Sequence, residues 1–594
     1  MKKLLTGNEA IARGAYEAGV RFASAYPGTP STEILENIAL YKEDILAEWA
    51  TNEKVAVEAV IGASFAGARS IAAMKHVGLN VAADPLFTNA YTGVNGGLVI
   101  VSGDEPGMHS SQNEQDNRNY ARFAKIPMFE PSDSQEAKDM INDAFEISEK
   151  YDAPVLFRIT TRLCHSKGIV QCEDRREVPL KEYVKDITKY IPVPAHSTKL
   201  RVKVEERLNK LEEFSNNTPL NYIELNDTKI GVVASGCSYK FAKEVFGDNV
   251  SYLKLGFTNP LPKAMMKDFA SKVDKIYVIE ENDPIMENEL KMMGIECFGK
   301  NTFPYNGEMT PDVIRKSVYG KSEATIEYDE CKVVARPPTL CAGCPHRGFF
   351  YEISKRKNTV ISGDIGCYTL GFAEPYNAMD WSVCMGASIS MGHGAQQVFN
   401  MKKDNETRVV SVLGDSTFFH TGINSLLDVV YNKGNSINVI LDNRITGMTG
   451  HQENPGTGYT LQGLETEMVD IEAIVKACGI KNVRVVNPND LKEMKETIDW
   501  AYALNEASVI ITRWPCVLKK FSKEDKEEFA GAFQGNCVVD EDKCIGCKKC
   551  IKTGCPAISF DKTTKKSSID KGPCVSCGIC EQVCPVGAIS KEVK

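Results

Sequence analysis

The chain has 594 residues, a formal net charge of −9 and 20 cysteines. A chain of this length exceeds what one hydrophobic core serves, so we expect several domains. The acidic balance argues against a nucleic-acid partner, and no stretch approaches the roughly 20 apolar residues of a membrane span. The N-terminal residues lack the apolar region and cleavage site of a secretory signal, so we expect a cytoplasmic protein with no membrane partner.

Residues 1–195 alternate helical and strand-like patterns and predict an α/β domain. Early in this domain, the segment 24–33 turns from a strand into a helix that Ser31 or Thr32 is suited to cap. Free amides at a helix start suit an anion, which makes Thr29 in this turn a candidate cofactor contact. A plain strand-to-helix connection explains the segment equally well.

An acidic residue enters a helix of small side chains predicted at residues 54–70. Glu53 precedes this helix, and Glu58 lies about one turn further on. A carboxylate at this position usually just stabilises the helix N-terminus. The alternative is a buried acid that hydrogen-bonds a ligand.

A densely polar segment, residues 108–118, follows an apolar strand predicted at 98–101. A solvated loop explains the segment without any function. Because ligands bind at the carboxyl ends of parallel strands, it is also placed to bind a substrate carboxylate, with His109 and Ser110 as donors.

The middle of the chain carries no motif of its own. Residues 196–228 are charged and poor in apolar side chains, which predicts an interdomain helix and linker. Residues 229–330 predict a smaller α/β domain with buried strands at 230–234 and 275–280. We expect a scaffold role for this domain.

Residues 331–520 contain two apolar strands, 409–413 and 437–441, joined by an amphipathic helix at 423–431. Strand, helix and strand at this spacing form one right-handed unit of a parallel sheet. Both strand ends then open on the same edge of the sheet, which is where ligands bind in such folds.

That edge carries two oxygen-bearing side chains beside a glycine turn. The triplet Gly414, Asp415 and Ser416 ends the first strand, and Asn443 follows the second strand 28 positions after Asp415. Taken alone, Gly-Asp-Ser is most simply a turn. The pair at this interval resembles the thiamine-diphosphate signature, which implies that Asp415, Asn443 and the carbonyl of Ile445 hold the Mg²⁺ of the diphosphate.

Four further cysteines accompany this motif, namely Cys341, Cys344, Cys367 and Cys516. The first two are compatible with a redox dithiol, half of a zinc site or two cluster ligands. The order of all four resembles the inner cluster of 2-oxoacid:ferredoxin oxidoreductases, although Ala342 and Pro345 depart from that family's Cys-Pro-Gly-Cys. The resemblance implies an inner [4Fe–4S] cluster.

Residues 535–594 have the cysteine spacing of a two-cluster bacterial ferredoxin. In that pattern three close thiolates bind one cube, and the distant fourth, before proline, ligates the other. The predicted ligand sets are Cys544, Cys547, Cys550 and Cys584 for the first [4Fe–4S] cluster, and Cys555, Cys574, Cys577 and Cys580 for the second. The first run has one extra residue before its fourth cysteine, and Cys537 is left over.

Thiamine and iron–sulfur motifs on one chain favour the oxidative decarboxylation of a 2-oxo acid with electrons removed singly. The order of the domains resembles the alpha subunits of the indolepyruvate:ferredoxin oxidoreductase family. The strings that carry this resemblance are residues 26–30, 74–80, 109–116 and 340–347. The resemblance implies two transketolase-like thiamine domains, pyrimidine-binding at 1–195 and diphosphate-binding at 331–520, with a transketolase C-terminal-like domain at 229–330.

The resemblance also implies a role for each candidate residue. Glu53, with Glu58 as the alternative, hydrogen-bonds the aminopyrimidine ring so that its amino group can deprotonate C2 of the thiazolium. Thr29, Gly414 and Ser416 contact the cofactor.

The implied reaction belongs to aromatic amino acid catabolism. Its substrates are indolepyruvate, phenylpyruvate and hydroxyphenylpyruvate, with CoA as co-substrate and ferredoxin as electron acceptor. The products are arylacetyl-CoA and CO2. The implied partner is a beta subunit, in a heterodimer that pairs into a heterotetramer.

Three alternatives remain open on the sequence. A thiamine carboligase or simple decarboxylase shares the first 520 residues in outline but leaves the C-terminal clusters without a task. An electron-transfer subunit with a degenerate thiamine fold keeps the clusters and binds no thiamine. Another 2-oxoacid:ferredoxin oxidoreductase, for pyruvate or 2-oxoglutarate, differs only in its substrate.

Overall fold

The computed structural model describes residues 1–322, 329–402 and 406–592. These residues form two compact units, Met1–Asp329 and Glu330–Lys594. Residues 323–328, inside the range predicted for the small α/β domain, and residues 593–594, at the end of the predicted ferredoxin domain, lie outside the described part. Within the described part, every helix is too short or too polar to cross a bilayer.

A seven-stranded sheet forms the centre of the first unit, in the order β12-β6-β7-β5-β4-β2-β3. All neighbours are parallel except β12 and β6. Strands β5 and β7 are buried along their whole length, as expected for a parallel sheet covered on both faces. The strands of this unit are β1 (Lys2–Thr6), β2 (Phe22–Ala25), β3 (Leu46–Trp49), β4 (Ser70–Lys75), β5 (Leu98–Asp104), β6 (Met128–Phe129), β7 (Val155–Thr160), β8 (Lys167–Gln171), β9 (Tyr222–Glu224), β10 (Gly231–Ser235), β11 (Ser251–Leu255), β12 (Phe257–Asn259) and β13 (Ile276–Ile279).

Helices cover this sheet and lead into the following strands. The helices of the first unit are α1 (Gly7–Glu17), α2 (Thr32–Ile38), α3 (Glu53–Phe65), α4 (His76–Val81), α5 (Ala83–Thr92), α6 (Arg118–Ala124), α7 (Ser134–Tyr151), α8 (Thr161–His165), α9 (Ile187–Tyr190), α10 (Pro194–Asn217), α11 (Gly236–Phe246), α12 (Lys263–Ala270), α13 (Ile285–Met292) and α14 (Pro311–Tyr319).

The helix predicted at residues 54–70 is shorter in the structure and ends at Phe65. Gly67 has a φ of +98°, which breaks the helix, and a Cβ there would lie 1.9 Å from the Lys181 carbonyl oxygen. The last predicted residue, Ser70, instead begins strand β4.

A second, four-stranded sheet has the order β13-β10-β11-β9. The sequence placed residues 196–228 in a charged helix and linker. The helix is present as α10, but Tyr222–Glu224 forms strand β9 and pairs with β11. Strand β12, inside the predicted small domain, pairs with β6 of the large sheet, so the predicted boundary at 228–229 crosses a continuous fold.

Buried ion pairs join the two sheets of the first unit. The guanidinium of Arg118 contacts Asp116 at 2.5 Å and Glu280 at 2.8 Å, and it donates to the carbonyls of Glu281 and Asp283. All of the charged partners are buried, so each is costly to leave unpaired. The polar segment 108–118 is therefore a solvated loop only in its first half.

A five-stranded parallel sheet, in the order β14-β15-β16-β18-β17, forms the larger part of the second unit. Two small antiparallel pairs, β19 with β22 and β20 with β21, form the C-terminal part. The expected α/β class with a C-terminal ferredoxin-type domain is confirmed. The elements are β14 (Thr359–Ser362), β15 (Arg408–Gly414), β16 (Ile437–Asp442), β17 (Asn482–Val486), β18 (Ser508–Arg513), β19 (Asn536–Val539), β20 (Ile558–Asp561), β21 (Lys566–Ile569) and β22 (Ile589–Glu592), with helices α15 (His346–Ile353), α16 (Ser388–Asn400), α17 (Asp415–Thr417), α18 (Ile423–Tyr431), α19 (Ile471–Ala477), α20 (Leu491–Tyr502), α21 (Lys523–Glu528) and α22 (Ile579–Gln582).

Candidate functional site

The carboxyl ends of strands β15 and β16 bring the predicted Mg²⁺ residues to one edge of the second unit's sheet. The strands are parallel neighbours, with Gly414 opposite Leu441. Asp415 and Asn443, which follow these two ends, are both buried. The structure thus places the two side chains where the sequence expected them, at the ligand-binding edge of a parallel sheet.

Hydrogen bonds within the loop after β16 fix this edge. The Asn443 side-chain oxygen accepts from the Ile445 N–H at 3.3 Å, and the Ser416 and Thr446 hydroxyls are 2.9 Å apart. Asn454 donates from its side chain to the Asp415 carboxylate at 3.1 Å. The sequence analysis missed Asn454, because a contact across 39 positions leaves no local signal.

Asp415 is 3% exposed. Burial raises its pKa to about 7, and the charge of nearby Asp442 acts in the same direction. Asp442 is in turn held by Arg513 at 2.9 Å. A buried carboxylate that is costly to ionise alone is suited to a cation, because the positive charge removes that cost.

Close packing explains the glycine that precedes Asp415. A Cβ at Gly414 would lie 2.8 Å from the ring of Tyr368, whose hydroxyl hydrogen-bonds the Thr417 hydroxyl at 2.8 Å. The next turn of backbone, Phe418–Gly422, is a wide π-helical turn. Such turns are frequent at functional sites. A bulkier residue at 414 would displace Tyr368 from the edge.

In the first unit, the Thr29 turn follows the end of β2. The Gly28 N–H donates to the Thr32 hydroxyl at 3.0 Å, and the Ser31 hydroxyl donates to the Gly28 carbonyl at 3.0 Å. Neither side chain caps α2, although Ser31 occupies the N-cap position. The expected side-chain cap is therefore absent, and the Ser31 and Thr32 hydroxyls instead hydrogen-bond the backbone of Gly28. Thr29 itself is half-buried at this strand end.

Glu53 and Glu58 lie in different environments. Glu53 is 6% exposed, at the first position of α3, whereas the Glu58 side chain is 47% exposed and pairs with Lys54. A Cβ at Gly78 would lie 2.7 Å from the Glu53 carboxyl, so the backbone of α4 closely covers this acid. Of the two candidates, only Glu53 has the burial that the proposed role needs.

The loop at residues 108–111 is organised by an acid that the sequence analysis missed. Glu105 accepts from the Ser110 N–H at 2.9 Å and from the Ser110 hydroxyl at 3.0 Å, and it pairs with Lys75 at 3.5 Å. Burial alone would raise the pKa of Glu105. Hydrogen bonds from Ser111 and Ser110 and the charge of Lys75 outweigh burial, so the pKa is lowered. His109 is exposed and lies 3.4 Å from Glu308.

The four cysteines assigned to an inner cluster lie near one another. Burial raises the pKa of Cys367 to about 11, and the neighbouring Cys516 and Cys341 add to the rise. Burial likewise raises the pKa of Cys344, and the neighbouring Cys367 and Cys516 add to this rise. Their proximity fits a set of cluster ligands, since thiols that raise one another's pKa need a cation to stabilise them as thiolates.

The predicted ligands of the second C-terminal cube surround one cavity. Cys555, Cys574, Cys577 and Cys580 all line it, in agreement with the crossed ligand pattern of two-cluster ferredoxins. At the first cube, the Cys550 sulfur lies 3.3 Å from the Ser567 hydroxyl, and a backbone hydrogen bond from Ser567 lowers the pKa of Cys544. Cys547 lies close enough to raise the pKa of Cys550, and Cys584 packs against the apolar cluster that holds Cys550.

The loop between Cys341 and Cys344 forms a wall of the cavity that the predicted ligands of the second cube line. Ala342 and Gly343 line that cavity, and a Cβ at Gly343 would lie 2.1 Å from Val575. Gly343 has a φ of +73°. Glycine is therefore required at this position both by backbone conformation and by packing.

No three His, Cys, Asp or Glu side chains in the described part of the chain converge on a single metal-ion position. The predicted Mg²⁺ ligands include an amide and a backbone carbonyl, and the thiolates of a cube surround four irons rather than one. Neither the predicted Mg²⁺ site nor the predicted iron–sulfur sites therefore require three such side chains around one ion.

Models of three protein families match the chain. Residues 13–203 match the thiamine-diphosphate-binding domain of pyruvate flavodoxin/ferredoxin oxidoreductases. Residues 364–512 match the C-terminal TPP-binding domain of thiamine pyrophosphate enzymes. Residues 543–588 match the 4Fe-4S dicluster domain. The chain thus carries thiamine-diphosphate-binding and iron–sulfur domains.

The similarity to one group of relatives extends along the whole chain. The indolepyruvate oxidoreductase subunit IorA of Archaeoglobus fulgidus is 40% identical over 621 residues, which is 99% of this chain and 97% of the relative. The IorA subunit of Pyrococcus horikoshii is 41% identical over 634 residues, with the same coverage. The chain belongs to the IorA family. The resemblance to alpha subunits of this kind is confirmed.

The IorA family has more distant relatives among other 2-oxo acid enzymes. The 2-oxoglutarate synthase subunit KorA of Archaeoglobus fulgidus is 25% identical over 337 residues, or 51% of this chain and 96% of the relative. The solved structure of 2-oxoglutarate:ferredoxin oxidoreductase from Magnetococcus marinus is 20% identical, with a TM-score of 0.44, over 54% of this chain and 65% of that one.

Proposed function

We propose that the chain is the catalytic subunit of an indolepyruvate:ferredoxin oxidoreductase, which converts aryl pyruvates and CoA to arylacetyl-CoA and CO2 while reducing ferredoxin. The full-length similarity to IorA subunits supports the substrate class. The reaction needs a thiamine site beside an electron acceptor. In the second unit, the contacts of Asn443 support a thiamine site beside an electron acceptor most directly.

Asn443 links the diphosphate edge to the inner cysteines. Its backbone carbonyl accepts from the Cys516 N–H at 2.9 Å. A Cβ at Gly447 would meet the Asn443 side chain at 3.5 Å and the Cys367 sulfur at 3.8 Å. Two cysteines from distant parts of the chain thus flank a predicted Mg²⁺ ligand. A carboligase or simple decarboxylase has no use for this arrangement.

The proposed thiamine roles are assigned to the residues of each unit separately. In the second unit, Asp415, Asn443 and the Ile445 carbonyl hold Mg²⁺, and Gly414 and Ser416 contact the diphosphate. In the first unit, Thr29 contacts the cofactor, and Glu53 forms a hydrogen bond with the aminopyrimidine ring. Bound thiamine diphosphate supplies the electron sink that decarboxylation of a 2-oxo acid requires.

Two further donors are proposed for the substrate carboxylate, namely His109 and Ser110. His109 is exposed and so can turn toward a ligand. The Ser110 hydroxyl donates to Glu105, and this bond must be exchanged before the hydroxyl can serve a substrate.

Electrons leave through cysteine-bound clusters in the proposed scheme. Cys341, Cys344, Cys367 and Cys516 would hold an inner [4Fe–4S] cluster, which would supply one-electron transfer between the thiamine site and the second C-terminal cube. Ala342 and Gly343 support a short path between these two predicted clusters, because they lie between two of the inner cysteines and line the cavity of the second cube's predicted ligands. Cys544, Cys547, Cys550 and Cys584 would hold the first cube, which would supply electrons to ferredoxin.

The proposed domain boundaries keep 1–195 and 331–520 as thiamine domains and 535–594 as the two-cluster ferredoxin domain. Strand β9 moves the start of the small α/β domain from 229 to about residue 222. The partners are a beta subunit, in a heterodimer that pairs into a heterotetramer, and ferredoxin. CoA is the acyl acceptor.

A substrate panel tests the proposal. The chain is purified anaerobically with its partner subunit and assayed for ferredoxin reduction with CoA and each of indolepyruvate, phenylpyruvate, hydroxyphenylpyruvate, pyruvate and 2-oxoglutarate. We expect the highest kcat/KM for the three aryl pyruvates. Strong activity on pyruvate or 2-oxoglutarate with none on the aryl pyruvates would reassign the substrate. Stoichiometric iron without bound thiamine would indicate an electron-transfer subunit instead.

A further inference from the structure

A fifth cysteine lies at the cavity of the second C-terminal cube. Cys537 is 1% exposed and belongs to strand β19, outside both cysteine motifs. It lines the same cavity as the four predicted ligands. A [4Fe–4S] cluster in a ferredoxin takes four thiolates. One thiol at this cavity is therefore in excess of what the cube needs.

Cys537 contacts two of the predicted ligands. Its backbone N–H donates to the Cys574 sulfur at 3.2 Å, and its side chain packs in the same buried cluster as Cys580. Antiparallel pairing with β22, in which Cys537 lies opposite Lys591, fixes the backbone on which the thiol is held. The fifth thiol is thus held against a ligand sulfur by regular secondary structure.

We propose that Cys537 is a reserve ligand of the second cube, which binds iron when Cys580 cannot. With all four motif cysteines intact, Cys537 is a buried thiol beside the cube and is not a ligand. When residue 580 offers no thiolate, the Cys537 thiol gives its proton to water as the cluster is inserted, and its thiolate sulfur binds the iron that Cys580 would have held. No electron is transferred in this exchange, because one iron–thiolate bond takes the place of another.

The contact with Cys580 distinguishes this role from simple core packing. A free buried cysteine often serves only as a small apolar side chain, and Cys537 does pack in a cluster with Ile589. Packing alone predicts that any small apolar residue at 537 serves equally well under all conditions. The reserve role predicts that residue 537 matters only when Cys580 is absent.

The test compares four variants of the full chain, purified anaerobically with the partner subunit, and one of them is the single substitution Cys537→Ala. Cys580→Ala removes the third cysteine of the second motif, and Cys550→Ala removes the equivalent cysteine of the first motif. The neighbour of the Cys550 sulfur is the Ser567 hydroxyl at 3.3 Å, which is a weaker iron ligand than a thiol. The third variant combines Cys537→Ala with Cys580→Ala. Iron and acid-labile sulfide per chain are measured, together with the EPR spectrum of the dithionite-reduced protein.

We expect Cys580→Ala to keep the iron content of the unmodified protein and the EPR signature of two interacting cubes. Cys550→Ala and the double variant should each lose about four irons per chain. The single variant Cys537→Ala should keep all of its iron.

Three results would overturn the proposal. The first is equal iron loss in Cys580→Ala and the double variant, and the second is iron loss in Cys537→Ala alone. The third is a Cys580→Ala chain that fails to accumulate although Cys550→Ala accumulates. The inference rests only on the iron–sulfur part of the proposed function. Iron counts and EPR spectra need no turnover, so they remain decisive even if no 2-oxo acid is a substrate.

Discussion

Replacing Asp415 with Asn should stabilise the thiamine-free protein while abolishing its response to thiamine diphosphate. Burial first, and the charge of Asp442 second, raise the pKa of Asp415 to about 7, against roughly 3.9 for an unfolded chain. Between these values the folded state holds a proton that the unfolded state has released. The free energy of unfolding therefore falls as the pH rises through this window, and the loss is complete above about pH 7.

The size of the effect follows from the pKa difference. About three pKa units at about 1.4 kcal/mol each give about 4 kcal/mol, which is an upper limit. The pKa from which it is worked already includes the stabilising hydrogen bond from Asn454 to the carboxylate. The Asn variant carries no ionisable group at 415, so it avoids this cost at pH 8. For a domain of about 190 residues the gain corresponds to a rise in Tm on the order of 10 °C. At pH 4 the two proteins should melt alike.

Differential scanning fluorimetry of the thiamine-free protein at pH 4 and pH 8 measures both Tm values. Addition of Mg²⁺ and thiamine diphosphate at pH 8 should then raise the Tm of the unmodified protein and leave that of Asp415→Asn unchanged. Asp428→Asn removes the same charge from an exposed helix position and is the matched control. It should neither raise the Tm at pH 8 nor abolish the response to thiamine diphosphate. An Asp415→Asn chain that melts at or below the unmodified protein at pH 8 would refute the reasoning.

Three other substitutions test the remaining assignments. Glu53→Gln should lower kcat about 100-fold or more with iron content unchanged, whereas Glu58→Gln should retain activity; undiminished turnover in the first would remove Glu53 from its role. Gly78→Ala should also lower activity, because a Cβ there meets the Glu53 carboxyl at 2.7 Å. The control Gly62→Ala, on an open face of α3, should retain activity. Equal activities of the two variants would contradict this account. Cys516→Ala should lose about four irons per chain by iron analysis, and full iron retention would exclude Cys516 as an inner ligand.

The sequence predicted the central motif of the second unit closely. The apolar runs 409–413 and 437–441 became strands β15 and β16 with one added residue at one or both ends, and the helix at 423–431 has its predicted bounds. This accuracy has a physical source. Each strand is buried on both faces and ends at a glycine or polar residue, so local composition alone marks its limits.

Features that depend on distant contacts were not predictable from local patterns. Asn454 reaches Asp415 across 39 positions, and Ala342 and Gly343 line a cavity with cysteines more than 200 positions away. Strand β12 was missed for a related reason. It has three residues, and only its pairing with β6 defines it as a strand. Short elements of this kind carry no periodicity of their own.

The extra residue in the first ferredoxin motif has a structural explanation in the turn that it lengthens. Residues Ile551–Thr553 form a 3₁₀ turn, and Gly554 follows with a φ of +65°, where a Cβ would lie 2.9 Å from the Tyr376 hydroxyl oxygen. The Thr553 carbonyl accepts from the Tyr376 hydroxyl at 2.5 Å and from the guanidinium of Arg347 at 3.2 Å.

That turn joins the ferredoxin-type part of the second unit to the inner cysteine loop. Arg347 is fully buried, and besides Thr553 it donates to the carbonyls of Leu340 and Cys341. One guanidinium therefore holds a carbonyl two residues before Cys555 and the carbonyl of Cys341 itself. We expect a three-residue spacing to remove the Thr553 carbonyl from Arg347, which would then keep the Tyr376 hydroxyl and the carbonyls of Leu340 and Cys341 as partners. The four-residue spacing thus places the Thr553 carbonyl where Arg347 links it to the inner cysteine loop.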